Sequence, residues 1–174
     1  EPSDGSPLPW ISGNGSGADC VVIAADGGRA LIAYHDNNVA LLDLQAGRIL
    51  HTARSPLRGS VCRSAFSPDG TFAAVALDGA VRILQSATGE TFDEIAIAEG
   101  PAKAFNGNIN DLVFFGSDDP KLIVASSARL DIIDVRAKTK RMVPRRGRAI
   151  TIARVSAAGD TLVVASRDRA IDAF

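Results

Sequence analysis

The chain alternates short apolar runs with polar turns from about residue 20 to its last residue. Runs of small and branched apolar residues, bounded by turns rich in Gly, Asp and Pro, are typical of β-strands. The runs that we predict as strands are Val21–Ala24, Ala30–Tyr34, Ile49–Thr52, Val61–Phe66, Phe72–Leu77, Phe92–Ile97, Ile109–Phe115, Leu122–Ala125, Arg141–Val143, Ile150–Val155 and Leu162–Ala165. No segment keeps an apolar period of 3.6 residues, so the sequence predicts an all-β fold.

One short string recurs along the chain at intervals close to forty residues. The position of Leu42 is taken by Leu84, Ile133 and Phe174 in the later copies, at spacings of 42, 49 and 41 residues. Four antiparallel strands in a unit of about forty residues are typical of a β-propeller blade. The sequence therefore predicts about four blades. The repeats span about 19–58, 59–100, 108–147 and 148–174, the last of them incomplete.

The two ends of the chain suggest how the propeller is completed. Residues 1–18 are rich in Pro, Gly and Ser and are predicted to be a linker around one candidate closing strand, Leu8–Ile11. Pro9 is compatible with an outermost strand, because such a strand leaves one edge unpaired. Phe174 ends the fourth repeat within its third strand. We therefore expect residues 19–174 to belong to a larger propeller or to a ring completed by another chain or by a second copy.

The second repeat is the most informative about family. It contains a Ser-Pro-Asp-Gly turn at 67–70, an Asp-Gly turn at 78–79 and Thr-Gly-Glu at 88–90. This order of turns resembles a WD40 repeat. The segment Val39–Leu44 followed by Gly47 also resembles the related bacterial YVTN-type propeller repeats.

The resemblance covers about residues 20–174, with two departures from the WD40 pattern. The Trp of the family's Trp-Asp ending is replaced by other apolar residues, while the Asp is kept at Asp43 and Asp134. The family's Gly-His dipeptide is missing from every repeat. The resemblance implies a WD40-like propeller that acts as a non-catalytic scaffold for a protein partner.

Composition and motifs narrow the range of functions. The 19 Lys and Arg residues against 20 Asp and Glu give a net charge of −1, which argues against a globally basic nucleic-acid binder. No apolar run approaches the roughly 18 residues of a membrane span, so no membrane partner is expected. His35 and His51 stand far apart and no catalytic motif is present, so we expect no catalytic residue, metal or cofactor. The alternative is a propeller enzyme of quinoprotein or lactonase type, which would need a cluster of His, carboxylate or metal-ligand side chains around the channel.

The two cysteines, Cys20 and Cys62, are 42 residues apart, which is one repeat. Equivalent positions in neighbouring blades are expected to lie too far apart for a relaxed disulfide, whose Cα atoms are ~5.5–6 Å apart. We therefore predict small buried thiols that pack between blades. Free thiols would favour a reducing, cytoplasmic compartment.

Charge is concentrated in one segment. Seven cations and no acid fall within the thirteen residues from 136 to 148, which we call the basic strip. Its cations are Arg136, Lys138, Lys140, Arg141, Arg145, Arg146 and Arg148. One interpretation is a docking surface for an acidic protein or a polyanion, because arginine binds carboxylate and phosphate groups with two parallel hydrogen bonds.

The other interpretation of the basic strip is structural. The outer strand of the preceding repeat is acidic, with Glu90, Asp93, Glu94 and Glu99. Charged outer strands protect unpaired edges from aggregation, and two neighbouring strips of opposite sign attract each other. On this view the strip has no partner outside the chain.

A longer connection between the second and third repeats gives one more candidate. The extra residues fall at about 99–108 and include Phe105 among small and polar neighbours. Insertions in propellers fall in loops that connect blades, and these loops often form the binding face. Phe105 is therefore either an exposed anchor for a partner or a residue that folds back onto the core.

Overall fold

The structure is a computed structural model that describes residues 15–36, 38–54, 63–77, 80–97, 109–126, 129–143, 150–156 and 161–174. Every regular element in these residues is a β-strand, and none is a helix that could cross a membrane. The strands are β1 (Ala18–Ile23), β2 (Arg29–Tyr34), β3 (Asn38–Asp43), β4 (Arg48–Arg54), β5 (Ser64–Phe66), β6 (Phe72–Leu77), β7 (Ala80–Gln85), β8 (Thr91–Ala96), β9 (Ile109–Phe115), β10 (Lys121–Ser126), β11 (Leu130–Asp134), β12 (Thr139–Val143), β13 (Ile150–Val155), β14 (Leu162–Ser166) and β15 (Ile171–Ala173).

Consecutive strands form four separate antiparallel sheets. The first blade is β1 to β4, the second β5 to β8, the third β9 to β12, and the fourth β13 to β15. Each strand pairs with its sequence neighbours, as expected for strands joined by tight turns. The predicted fold class, an all-β chain of antiparallel blades, is confirmed.

The pairing registers show that the four sheets are copies of one unit. An alanine near the end of the second strand pairs with an apolar residue of the third strand in every blade. The pairs are Ala33 with Val39, Ala76 with Val81, Ala125 with Leu130, and Ala165 with Ile171. The equivalent residues Leu42, Leu84 and Ile133 are all buried, whereas Phe174 is 47% exposed.

Three layers of the core lie between the sheets, and a fourth buried cluster, of Tyr34, Ala40 and Leu42, lies on the side of the first blade away from the second. Leu31, Leu41 and Leu84 belong to the layer between the first and second blades. Phe72 and Phe114 belong to the next layer, and Ile123 and Val164 to the last. The innermost strands also contact one another in sequence, β1 with β5, β5 with β9 and β9 with β13. Each blade is therefore held chiefly by the blades on either side of it.

Turn chemistry explains several of the connections. Ser67 Oγ accepts a hydrogen bond from the Phe72 amide (2.9 Å), and an Asp69 carboxylate oxygen accepts one from the Thr71 amide (3.0 Å). Gly70 closes the same turn with a φ of 70°, a conformation that favours glycine. The Asp-Gly turn at 78–79 lies outside the described residues, as do the candidate closing strand and Phe105.

Asp43 and Asp134, which match the Asp of the WD40 Trp-Asp ending, have a structural role in this chain. Asp43 Oδ1 accepts hydrogen bonds from the amides of Gln45 (3.1 Å) and Ala46 (2.9 Å). Asp134 Oδ1 accepts one from the Ala137 amide (2.9 Å), which lowers the pKa of this carboxyl below its usual value. Both acids therefore hold the turn that leads into an outer strand.

The prediction of a free thiol at Cys20 was wrong, because Cys20 is disulfide-bonded. Cys62, the other cysteine of the sequence, lies outside the described residues. The expectation assumed that innermost strands are well separated, whereas β1 packs directly against β5. The argument from free thiols to a reducing compartment therefore no longer applies.

Candidate functional site

The basic strip begins in the turn after β11 and continues along β12, the outer strand of the third blade. Arg136 and Lys138 lie in the turn, and Lys140 and Arg141 lie in the strand. The strip's other cations, Arg145, Arg146 and Arg148, lie outside the described residues. The site can therefore be built from four of its seven cations.

Three of these four cations reach across to the second blade. Lys138 Nζ donates a hydrogen bond to the Phe92 carbonyl oxygen (3.3 Å) and lies 4.7 Å from the centre of the Phe92 ring. Lys140 Nζ donates to the Ala96 carbonyl oxygen (2.7 Å). Arg136 Nη2 lies 3.8 Å from Asp69 Oδ2. These contacts fix the outer strand of the third blade against that of the second.

Most of these contacts leave the positive charge uncompensated. Carbonyl oxygens and an aromatic ring carry no net charge, so Lys138 and Lys140 remain sources of positive potential. Among the described residues, Asp69 provides the one carboxylate within 4.0 Å of a cation of the strip. Glu94 of the acidic strand instead accepts hydrogen bonds from Arg82 Nε (2.9 Å) and Nη2 (2.8 Å) of its own blade. Among their described residues, the two strips therefore lie side by side without an ion pair between them.

The backbone of Lys138 is unusual. Its φ is +56°, in the left-handed region that is uncommon for residues other than glycine. The equivalent turn residues of the first and second blades are Gly47 and Gly89, with φ of 64° and 78°. The third blade thus has a lysine where the other two have glycine, and the lysine is the residue that contacts Phe92.

Arg141 differs from the other three cations. It pairs in register with Ile132 and lines a pocket of about 280 Å³ with that residue. The other lining residues are Lys121, Asp134, Thr139 and Lys140. In the described part of the chain, no carboxylate lies within ion-pair distance of Arg141, whose side chain is exposed.

The acid in the pocket is already engaged. Lys121 Nζ forms an ion pair with Asp119 and lies 3.3 Å from Asp134 Oδ2. The hydrogen bond to Asp119 raises the pKa of Lys121, with a further contribution from Asp134. Asp134 is thus shared between Lys121 and the turn amides. The pocket therefore combines an apolar surface at Ile132 with the guanidinium of Arg141, which has no carboxylate partner in the described ranges.

Our reading of the sequence missed a buried ion pair in the third blade. Arg129 donates from Nε (2.7 Å) and Nη2 (2.6 Å) to the two carboxylate oxygens of Asp131, which is fully buried. The available signal was an acid inside the apolar run Leu130–Ile133, with an arginine two residues before it. A fully paired buried carboxylate of this kind supports the fold and is not free to bind a ligand.

Burial lowers the pKa of His51, and the positive charge of Arg82 lowers it further. Within the described ranges, no group of three or more His, Cys, Asp or Glu side chains is placed to hold a metal ion.

Comparison with known proteins identifies the fold and no family. No family model matches the chain, and no curated protein matches it. The solved structure of U3-55K, a WD40 β-propeller protein, matches with a TM-score of 0.69 and 15% sequence identity. The match covers 98% of this chain and 55% of that chain, so this chain spans about half of the matched structure's length. At this identity the likeness shows that the four sheets are propeller blades, and it shows the fold alone.

Proposed function

We propose that this chain is part of a non-catalytic β-propeller scaffold that binds an acidic protein through the outer strand of its third blade. The observation that carries the proposal is the environment of Arg141. Its guanidinium is exposed beside a pocket and has no carboxylate partner among the described residues. An acidic side chain of a partner would supply the missing carboxylate, which a guanidinium binds with two parallel hydrogen bonds.

The contacts between blades strengthen this proposal. Lys138 and Lys140 are anchored on the second blade, so β12 is held in place before a partner arrives. A surface that is already ordered loses less conformational entropy on binding than a mobile one. Because the anchors are neutral, both ammonium groups add to the positive potential around Arg141.

An acidic protein fits this surface better than single-stranded nucleic acid does. Strand β12 has the sequence Thr-Lys-Arg-Met-Val and carries no aromatic side chain on which a base could stack. Met142 follows Arg141 in β12, with its side chain on the opposite face of the strand. It is 61% exposed and offers an apolar contact of the kind that protein interfaces use. A polyanion that binds by charge alone would not need this apolar contact.

The proposal is tested with a fluorescent poly-glutamate peptide as the probe. We expect Arg141→Glu to weaken binding about tenfold, because it replaces an attraction by a repulsion at the pocket. Arg48→Glu is the matched control, since Arg48 is an exposed arginine in the first blade and the change in net charge is the same. Binding of the unaltered chain should weaken as salt rises from about 0.1 M to 1 M, where the Debye length falls from ~10 Å to ~3 Å.

The outcomes separate the candidate functions. Equal effects of Arg141→Glu and Arg48→Glu would contradict the proposal, because they would indicate an unspecific response to net charge. Heparin binding without poly-glutamate binding would favour a polyanion as the ligand instead. The double change Arg145→Glu with Arg146→Glu extends the test to the rest of the basic strip, and we expect it to slow association with the peptide.

A further inference from the structure

The outer edge of β15 offers backbone groups to a further strand. Among the described residues, the fourth sheet has the order β13-β14-β15, so β15 has a neighbour on one side only. Phe174 exchanges two backbone hydrogen bonds with Leu162, both of 2.9 Å. The alternation along an antiparallel pair therefore turns the N–H and C=O groups of Ile171 and Ala173 away from β14. These groups are placed to form the main-chain hydrogen bonds of a fourth strand.

The third blade shows where such a strand would lie. Its outer strand, β12, covers the outer strand of the second blade, where Lys140 donates to the Ala96 carbonyl oxygen. Because the blades repeat one unit, a strand added to β15 would cover β12 in the same way. The covered face of β12 would be the one that carries Arg141, since Val143, on that same face, packs in the layer shared with the fourth blade.

Charge and exposure indicate which side chains this added strand would carry. Arg141 has no carboxylate partner in the described ranges, and it lines the pocket together with Lys121 and Lys140. Acidic side chains on the face turned toward β12 would meet this positive charge. The other face of the added strand would lie beside Ile171, which is 73% exposed. Apolar side chains fit that face, because they would pair across the strands with Ile171.

Asp172 specifies one more position of the added strand. Its Oδ2 atom is buried and accepts no hydrogen bond from the described residues. Its equivalent in the second blade, Arg82, donates hydrogen bonds to Glu94, which lies directly opposite in the outer strand. Its equivalent in the third blade, Asp131, accepts hydrogen bonds from Arg129. A hydrogen-bond donor opposite Asp172 would satisfy its buried oxygen in the same manner.

We propose that the acidic partner binds as an extended segment that pairs with β15 and becomes the outer strand of the fourth blade. This inference rests on the proposed function, because it uses the guanidinium of Arg141, and it adds the conformation and pattern of the ligand. Acidic residues alternate with apolar ones, and a donor lies opposite Asp172. Main-chain hydrogen bonds give such a contact affinity, and alternate side chains give it specificity. Strands β4, β8 and β12 are fourth strands already, so their edges would bring a ligand no neighbouring blade to cover.

The probe is a labelled peptide, acetyl-Glu-Val-Glu-Val-Thr-Val-amide, whose threonine would lie opposite Asp172. In this register the amides of the last two valines point at β15, toward Ala173 and Ile171, and the glutamate amides point away. N-methylation of these two valines should weaken binding about tenfold, because it removes two hydrogen bonds to the edge. N-methylation of the two glutamates is the matched control and should change binding less than about twofold. Arg141→Glu should weaken binding of the unmodified peptide about tenfold.

Amide hydrogen exchange, measured by NMR, locates the peptide on the chain. The Ile171 and Ala173 amides should exchange rapidly in the free chain and at least about tenfold more slowly in the complex. Slow exchange of both amides without peptide would show that a segment of the chain itself fills the edge. Protection of β4, β8 or β12 in place of β15 would put the peptide on another blade. Either result would overturn the inference.

The outcomes separate this inference from the proposed function. Equal effects of methylated valines and methylated glutamates, with binding still dependent on Arg141, would overturn strand pairing and leave the charge contact intact. An effect of the methylated valines alone, with no effect of Arg141→Glu, would support strand pairing and contradict the proposed function. Failure of the unmodified peptide to bind would overturn both.

Discussion

The ammonium group of Lys138 lies 4.7 Å from the centre of the Phe92 ring, in the neighbouring blade. The same lysine holds a left-handed backbone conformation, which costs roughly 1–2 kcal/mol for a residue other than glycine. A cation on an aromatic face contributes about 0.5–1 kcal/mol at an exposed site. The strain in the turn and the contact between the blades are therefore of similar size and opposite sign.

We predict that Lys138→Gly changes the free energy of unfolding little in the natural chain, because relief of strain and loss of the contact nearly cancel. In a Phe92→Leu background the ring contact is already absent and only the hydrogen bond to the backbone carbonyl of residue 92 remains, so the same change should stabilise the protein, by up to about 1 kcal/mol. Urea unfolding of the four variants of this cycle measures the coupling. An identical effect of Lys138→Gly in both backgrounds would show that the ring contact contributes nothing.

Gly89 tests how closely the first and second blades approach each other. A Cβ at this position would lie 2.6 Å from His51 Cβ and 3.1 Å from the Leu50 backbone, and φ is +78°. Gly27 also has a positive φ, +68°, but no atom lies within 4 Å of the place where its Cβ would be. Gly27→Ala should cost about 1 kcal/mol from backbone strain alone, and Gly89→Ala about 2–3 kcal/mol more. Thermal unfolding of both variants checks this order, and equal losses would contradict the close contact.

The buried pair of Arg129 and Asp131 should respond differently to single and double changes. Arg129→Ala leaves a fully buried carboxylate without its partner, so we expect a loss of about 3 kcal/mol. Arg129→Met combined with Asp131→Leu removes both charges and keeps the volume, and it should regain most of that loss. Urea unfolding of the single and the double variant measures both losses of unfolding free energy. A double variant as unstable as Arg129→Ala would mean that the charges themselves stabilise the blade.

The lowered pKa of Asp69 predicts that the stability of the fold depends on pH. Burial raises the pKa of Asp69, but hydrogen bonds from Ser67 and Thr71 lower it by more, so the net pKa falls below the usual 3.8. A carboxyl with a lower pKa in the folded state contributes stability above its unfolded pKa, and this contribution disappears as pH falls through the folded value. The difference in unfolding free energy between the natural chain and Asp69→Asn should therefore be constant above about pH 5 and shrink below about pH 4. A difference that stays the same at about pH 3 would contradict this role.

Most of the fold could be predicted because each repeat contains the apolar runs and turn residues that place its own strands. The predicted strands Phe72–Leu77, Ile109–Phe115 and Ile150–Val155 match β6, β9 and β13 in both bounds. Apolar runs and turn residues act locally, so they are visible in a single sequence. The disulfide of Cys20 could not be predicted, because it depends on how closely neighbouring sheets approach at their inner edges.

The sequence predicted the charged segment of the candidate site, but it did not predict which neighbours each cation contacts. Alternation along β12 places Lys140 and Arg141 on opposite faces, yet the sequence does not say which face meets the second blade. In the structure, both residues line the pocket, but the Lys140 ammonium bonds to the Ala96 carbonyl oxygen of the second blade, whereas Arg141 pairs in register with Ile132. The roles of two adjacent cations therefore depend on contacts between blades, which act over distances of more than forty residues in sequence.

The order of the blades also determines which strands unfold locally first. The second and third blades each share a core layer with a neighbour on both sides, whereas the first blade exposes Val21 and Ile23 on β1 and the fourth exposes Val163 and Ile171. In an array whose units are stabilised by their neighbours, the end units unfold at a lower free energy than the central ones. Amide hydrogens of β6, β7, β10 and β11 should therefore exchange with solvent most slowly, and those of β1 and β15 should exchange first.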